Sequence, residues 1–162
     1  MMSDDTISLM VKNDVWLVPT VWIVDGIARR CLVDGPQKPS ESNCKKIMLV
    51  KKNRDDVFKK AYKQRVKMGF GVDAIYGVKD NSKEFTSLVK LGVAPLDAIK
   101  MATINSAELL GIEDQLGSIE VGKLADIIAV KGDPLKDITE MERVIFVMKE
   151  GKVVRSDGVN KK

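Results

Sequence analysis

Histidine is absent from this chain. That one count removes Ser-His and Cys-His nucleophilic dyads and every zinc site built on imidazole. The two cysteines, Cys31 and Cys44, are too few for a four-thiolate zinc site or a disulfide framework, and they read as reduced thiols. What remains is carboxylate chemistry. Asp73 stands directly after Met68-Gly69-Phe70-Gly71-Val72, a short apolar run of the kind that forms a buried strand. At the C-terminal end of a parallel strand a carboxylate is an oxygen ligand and a base at once. The same residue type also caps helices and fills loops, so the position has a purely structural reading as well. Tyr76 and Asn81 lie in the loop that follows, where they could reach a substrate or simply face solvent.

The elements that must position Asp73 follow from the pattern of apolar residues. Asp4-Asp5-Thr6 precedes Ile7, Leu9, Met10 and Val11; this predicts a helix capped by Asp4 or Asp5 and ending near Asn13. Val15-Trp16-Leu17-Val18, stopped by Pro19, reads as a strand buried on both faces. Residues 24–43 carry Gly26, Gly35, Pro36, Pro39 and Ser40 and read mostly as loop, with a helical turn near Ile27–Arg30. A long helix is predicted over Ser42–Lys67, and shorter ones over Lys83–Leu91, Pro95–Thr103 and Ser106–Leu110, with stops at Gly92 and Gly111. Strand and helix therefore alternate, as in βα units of a parallel sheet. After Gly111 short apolar runs take over: Ile127–Val130, Val144–Met148 and Val153–Val154, the last two joined by a tight turn at Lys149-Glu150-Gly151-Lys152.

The 162 residues suffice for one domain of ordinary size, and a complete (β/α)8 barrel needs about 250. Apolar residues make up 44% and charged residues 31%, a globular composition that excludes disorder as the default. The Ser42–Lys67 stretch is rich in lysine, but Phe58 and Tyr62 fall on its apolar stripe and no nucleic-acid motif accompanies them. Its lysines read as a solvated helix surface; with 27 basic against 23 acidic residues in the whole chain, a surplus of +4 does not argue for nucleic acid, and no nucleic-acid partner is expected. No apolar run approaches a membrane span and the N-terminus lacks a secretory pattern, so the expectation is a cytoplasmic protein with no membrane partner.

Four motifs in order carry a resemblance. Gly117-Ser118-Ile119-Glu120-Val121-Gly122-Lys123-Leu124-Ala125-Asp126 resembles a G-S-I-E-x-G-K-x-A-D signature, and Gly132-Asp133-Pro134-Leu135 follows it. Ala102-Thr103-Ile104-Asn105-Ser106-Ala107-Glu108-Leu109-Leu110-Gly111 resembles A-T-x-N-P-A-x-x-L-G, with Ser106 where proline is usual. Gly71-Val72-Asp73-Ala74 resembles G-T-D-A at the end of a barrel strand, and Val15–Thr20 resembles the strand before it. Together they are similar to the C-terminal part of the metal-dependent amidohydrolase superfamily, in particular its imidazolonepropionase-like and Xaa-Pro dipeptidase-like members.

The resemblance implies an α/β fold: a partial TIM barrel over residues 1–112, holding strands seven and eight, then part of a small composite β-domain over 113–155 and a tail over 156–162. It implies metal-assisted hydrolysis of carbon–nitrogen bonds in a small-molecule amide or dipeptide substrate. Asp73 is implied both as catalytic residue and as metal ligand. The histidine ligands of the family are absent, so no cofactor is expected in the isolated chain, whereas the complete family enzyme uses a divalent metal, zinc. The chain alone is expected to be inactive; the alternative is a catalytically dead remnant acting as a binding or assembly module. Open strand edges also predict self-association.

Overall fold

The computed structural model describes residues 2–73 and 81–157. Tyr76 lies outside them, so its expected role in the loop has no structural counterpart here. Helix α1 spans Asp4–Lys12. Its cap is Ser3, not Asp4 or Asp5: the Ser3 Oγ accepts the Thr6 N–H at 3.2 Å, and both aspartates sit inside the first turn, where they suit the helix dipole. The two expected strands meet as one parallel bridge between Leu17 and Met68. Leu17 donates to the Lys67 carbonyl at 2.9 Å and accepts from the Gly69 N–H at 3.1 Å. Pro19 ends the first segment, and among the described residues the pairing does not extend beyond this one bridge.

Helix α2 spans Val21–Arg30, where mostly loop was expected. Val21 and Ala28, seven residues apart, are its buried positions, and Gly26 faces open space, so its cost of roughly 1 kcal/mol is tolerated. Helix α3 spans Glu41–Lys63, four residues shorter at its C-terminal end than the pattern suggested, because Arg65 adopts a left-handed φ of 63°. Cys31, just after α2, is bonded to Cys44 in the first turn of α3, with Cα atoms 5.5 Å apart. The expected free thiols are thus corrected. A count of two could not reveal that α2 and α3 fold back to bring those positions within bridging distance.

Helix α4 spans Lys83–Lys90 and α5 spans Pro95–Lys100. The expected continuation of α5 to Thr103 is instead a π-helical turn, Met101–Asn105, leading into α6, Ser106–Leu110. π-turns inside helices often mark a position where geometry matters, and this one ends on two side chains that reach the Met68 segment. The last elements form an antiparallel sheet in the order β1 (Ile127–Val130), β2 (Val144–Lys149), β3 (Lys152–Ser156). Between β1 and β2 lies an unanticipated 3-10 helix, Ile138–Glu142, whose Ile138 is buried in the main core. Glu150 and Gly151 both have positive φ, 50° and 76°, which is the type I′ geometry a right-twisted hairpin needs.

The core gathers Ile7, Val21, Phe58, Ala61, Met68, Phe85, Leu88, Val93, Ala98 and Met101. It lies between the Leu17 and Met68 segments and the helices α1 to α5. The sheet is far less covered: every residue of β3 is exposed, as is Ile128 of β1. The architecture is an α/β fold in which a helical layer precedes a three-stranded antiparallel sheet.

Candidate active site

The Met68 segment alternates in the way a strand does. Met68 is buried, and the Phe70 ring packs on Phe85 of α4 with centroids 4.4 Å apart, so this face looks into the helices. Gly69 and Gly71 take the other face. A Cβ on Gly71 would lie 2.5 Å from the Val18 Cγ1, which shows how closely the Leu17 segment crosses over it. Asp73 comes next, exposed and with φ of 52°. Aspartate enters this left-handed region more readily than most residues, because its short polar side chain is compatible with it. The Asp73 carboxylate has no hydrogen bond or ion pair among the described residues.

Asn81, the second loop residue considered for substrate contact, is exposed, and its carbonyl accepts the Glu84 N–H at 3.3 Å as α4 begins. That is a helix-entry role; nothing among the described residues brings Asn81 to Asp73. The fit to a metal is equally plain. Among the described residues no group of three His, Cys, Asp or Glu side chains comes together. Asp73 can offer one oxygen donor, and this chain's own described residues do not make a complete metal site, since a catalytic zinc ion takes three protein ligands.

Glu84 was read from sequence only as a helical residue, yet it is the main polar group of the interior. It is fully buried and accepts hydrogen bonds from the backbone N–H of Val21 at 2.8 Å and Trp22 at 2.6 Å. Thr20 precedes α2 without capping it, so Glu84 satisfies the first N–H groups of α2 from another helix. Burial pushes its carboxyl up to about 7, against the pull of the Trp22 and Val21 N–H groups and the Arg54 guanidinium. A signal for this was available: Glu84, Ser87 and Leu88 share one helical face, and all three are buried.

Arg54 and Lys51 also leave the solvated surface to which the sequence assigned them. Arg54 donates to the Val21 carbonyl at 2.8 Å and to Asp25 at 2.7 Å, and Lys51 donates to Asp55 at 2.5 Å. The Arg54 Nε and Asp55 Oδ1 stand 2.7 Å apart as an ion pair, but neither has an aligned hydrogen bond. Further along, Lys45, Lys52 and Lys60 pair with Glu41, Asp56 and Asp4. Much of the positive charge on α3 is therefore locally neutralised. A gel-shift titration at physiological salt is expected to show no complex with duplex or single-stranded DNA tighter than about 1 µM, the range of non-specific phosphate attraction. A submicromolar complex would overturn this.

Among the cavities that flank these elements, two are defined by their lining. One of about 340 Å3 is lined by Met2, Leu17, Pro19, Val24, Val57 and Phe58. Another of about 530 Å3 lies between the α5–α6 segment and the sheet, among Ala102, Ser106, Leu116, Ile127, Val130 and Met141. Neither includes Asp73. The glycine of the first signature motif helps shape the second. Gly117 has φ of 96°, and a Cβ there would lie 2.7 Å from that of Ala107, so only glycine fits between α6 and the chain leaving it. No helix among the described residues is long and apolar enough to cross a membrane.

A profile of the amidohydrolase family matches residues 1–154. The chain is similar to adenine deaminase 1 of Desulfotalea psychrophila, 46% identical over 69 residues, which is 43% of this chain and 11% of that protein. It is similar to imidazolonepropionase of Symbiobacterium thermophilum, 38% identical over 71 residues, 42% of this chain and 17% of that protein. Among solved structures, a Xaa-Pro dipeptidase with methionine bound in its active site superposes with a TM-score of 0.85 at 40% identity, over 96% of this chain and 38% of that one. Aspergillus niger ochratoxinase superposes with a TM-score of 0.80 at 26% identity, over 96% and 35%. The chain thus spans well under half the length of these relatives.

Proposed function

This chain belongs to the amidohydrolase family, and from that premise we propose that it supplies one part of an enzyme that hydrolyses carbon–nitrogen bonds in small amides or dipeptides. In this reading residues 1–112 are the last two strand–helix units of a TIM barrel and residues 113–155 are part of a small β-domain. One observation carries the reading. Asp73 stands at the C-terminal end of the second of two parallel segments, exposed and without a partner among the described residues. In a parallel barrel that end forms the active-site face. A carboxylate there can accept a proton from the water that attacks a carbonyl carbon and return it to the departing nitrogen. The 40% identity to a Xaa-Pro dipeptidase over nearly the whole chain favours a dipeptide-like substrate over a nucleobase.

In this reading the residues that would hold the metal with Asp73 lie in the remainder of the barrel, and the proton transfer at Asp73 is the step that this chain's described residues would carry. The test compares the chain with an assembly formed by co-refolding it with the part of the Xaa-Pro dipeptidase that it does not match. Alone, after dialysis, the chain is expected to retain no stoichiometric zinc and to leave Xaa-Pro dipeptides and cyclic amides intact. The assembly is expected to hold metal and to cleave one of these classes. Tightly held zinc in the chain alone, or an assembly that forms but hydrolyses nothing across the panel, would defeat the proposal.

A further inference from the structure

We infer, resting on the reading of Asp73 as the carboxylate that takes a proton from the attacking water, that Glu84 is its positioning residue. From the first turn of α4, Glu84 fixes where the Leu17 segment turns into α2, and that turn sets the end of the Met68 segment that carries Asp73. Among the described residues Leu17 and Met68 form the one parallel bridge between the two segments. Asp73 stands well beyond that bridge, so ladder bonds do not hold it in place. Its place depends on what grips the segments past the bridge.

Three consecutive residues at the start of α4 supply that grip. Lys83 lies over the Trp22 ring, its Nζ 5.1 Å from the centroid. Glu84 accepts the Val21 N–H at 2.8 Å and the Trp22 N–H at 2.6 Å. Phe85 packs on the Phe70 ring of the Met68 segment at 4.4 Å. One helical turn thus holds both the start of α2 and the segment that leads to Asp73. Glu84 is the decisive member. Thr20 makes no capping bond, the first N–H groups of a helix need acceptors, and Glu84 is fully buried, where water does not replace it. From the other side the Val21 carbonyl accepts the Arg54 Nη1 at 2.8 Å, and Asp25 holds that guanidinium at 2.7 Å. Val21 is therefore fixed at its N–H by α4 and at its carbonyl by α3.

The turn bears on Asp73 through Gly71. A Cβ on Gly71 would lie 2.5 Å from the Val18 Cγ1 and 3.7 Å from the Thr20 Cγ2. The chain from Val18 to Thr20 therefore rests against the backbone at Gly71, with no side chain of Gly71 between them to absorb a shift. Movement of the turn passes to Gly71 and on to Asp73 along a short stretch of backbone. Glu84→Gln produces such a movement without changing volume. Its amide keeps one oxygen, but its NH2 faces the other α2 N–H, donor against donor. A misplacement of about 1 Å at a reacting group costs on the order of 100-fold in rate, so a smaller shift is still readable.

Amide NMR spectra of the chain and hydrolysis by the co-refolded assembly test this at pH 8, above the value of about 7 at which Glu84 titrates. In Glu84→Gln the amide resonances of Val21, Trp22, Gly71 and Asp73 are expected to shift and that of Gly151, in the hairpin, to stay. In the assembly kcat is expected to fall by about tenfold or more with KM within about twofold, well below the melting temperature. Ile7→Val, which trims a core residue of α1, is expected to lower stability and leave kcat unchanged, which separates placement from stability. Thr20→Ser removes the methyl that faces Gly71 and leaves the Glu84 bonds in place; it is expected to shift Gly71 and Asp73 as well, and it carries the test if Glu84→Gln does not fold. Shifts confined to Val21 and Trp22, an unchanged kcat, or an equal loss of kcat in Ile7→Val would overturn the inference. If the unsubstituted assembly hydrolyses nothing, the functional reading falls instead, and the Gly71 and Asp73 resonances alone decide whether Glu84 places the carboxylate.

Discussion

In the co-refolded assembly, Asp73→Asn is expected to lower kcat/KM by roughly 1,000-fold or more, about 4 kcal/mol of transition-state stabilisation. The substitution preserves size and shape but removes the ability to accept a proton and the charge that attracts a cation. It is also a clean probe of the backbone, because asparagine enters the left-handed region as readily as aspartate, so the φ of 52° at this position is retained. Melting of the chain should consequently be unchanged, since Asp73 is exposed and makes no contact among the described residues that asparagine would lose. Steady-state hydrolysis of the preferred substrate, paired with thermal melting, separates the two roles. A loss of activity smaller than about tenfold would leave Asp73 as an ordinary loop residue. A matching loss of stability would make it a structural one.

The second large effect concerns pH. The Glu84 carboxyl stands at about 7, above the ordinary value of 4.5. The folded state therefore favours the protonated form. The resulting stability is fully present below about 4.5 and is lost as pH rises through 7, a change of about 3 kcal/mol. Two features make that window unusually clean. There is no histidine to titrate within it. The carboxyls held low by local partners, such as Asp126 by the Lys149 and Glu150 groups and Glu140 by Arg143, give up their contribution only below the ordinary carboxylate range. Urea denaturation of the chain at pH 5 and pH 8 is expected to show the loss. In Glu84→Gln, which cannot ionise and keeps one acceptor oxygen for the α2 N–H groups, the dependence should flatten to less than about 1 kcal/mol. Parallel pH profiles for the two proteins would show that Glu84 does not carry it.

Both effects depend on placements that differ in how far the sequence exposes them. Asp73 stands out as a candidate because its signal is local: an apolar run ends, a carboxylate follows, and motifs before and after it occur in a fixed order. The same holds for the hairpin at Glu150-Gly151 and for the helices whose apolar residues recur at helical spacing, α1, α3 and α4. Local rules also misled in places. Gly26 and the prolines beyond it hid α2, since propensity is a weak guide where a helix packs its Val21 and Ala28 into a core. The lysines and Arg54 of α3 looked uniformly solvated, yet Arg54 and Lys51 turn inward to meet Asp25, more than twenty residues away along the chain.

What the sequence determined by itself is the family and the presence of one carboxylate after an apolar run in a chain with no histidine. These follow from periodicity, from motif order and from composition, which are properties of neighbours in the chain. Only the tertiary structure decided that Glu84 caps a helix more than sixty residues before it, that Cys31 and Cys44 lie within bonding reach, and that the Asn105 and Ser106 side chains hydrogen-bond the backbone of the Met68 segment. Each of these is a contact between segments whose separation is set by how whole helices pack, and no local pattern encodes that distance.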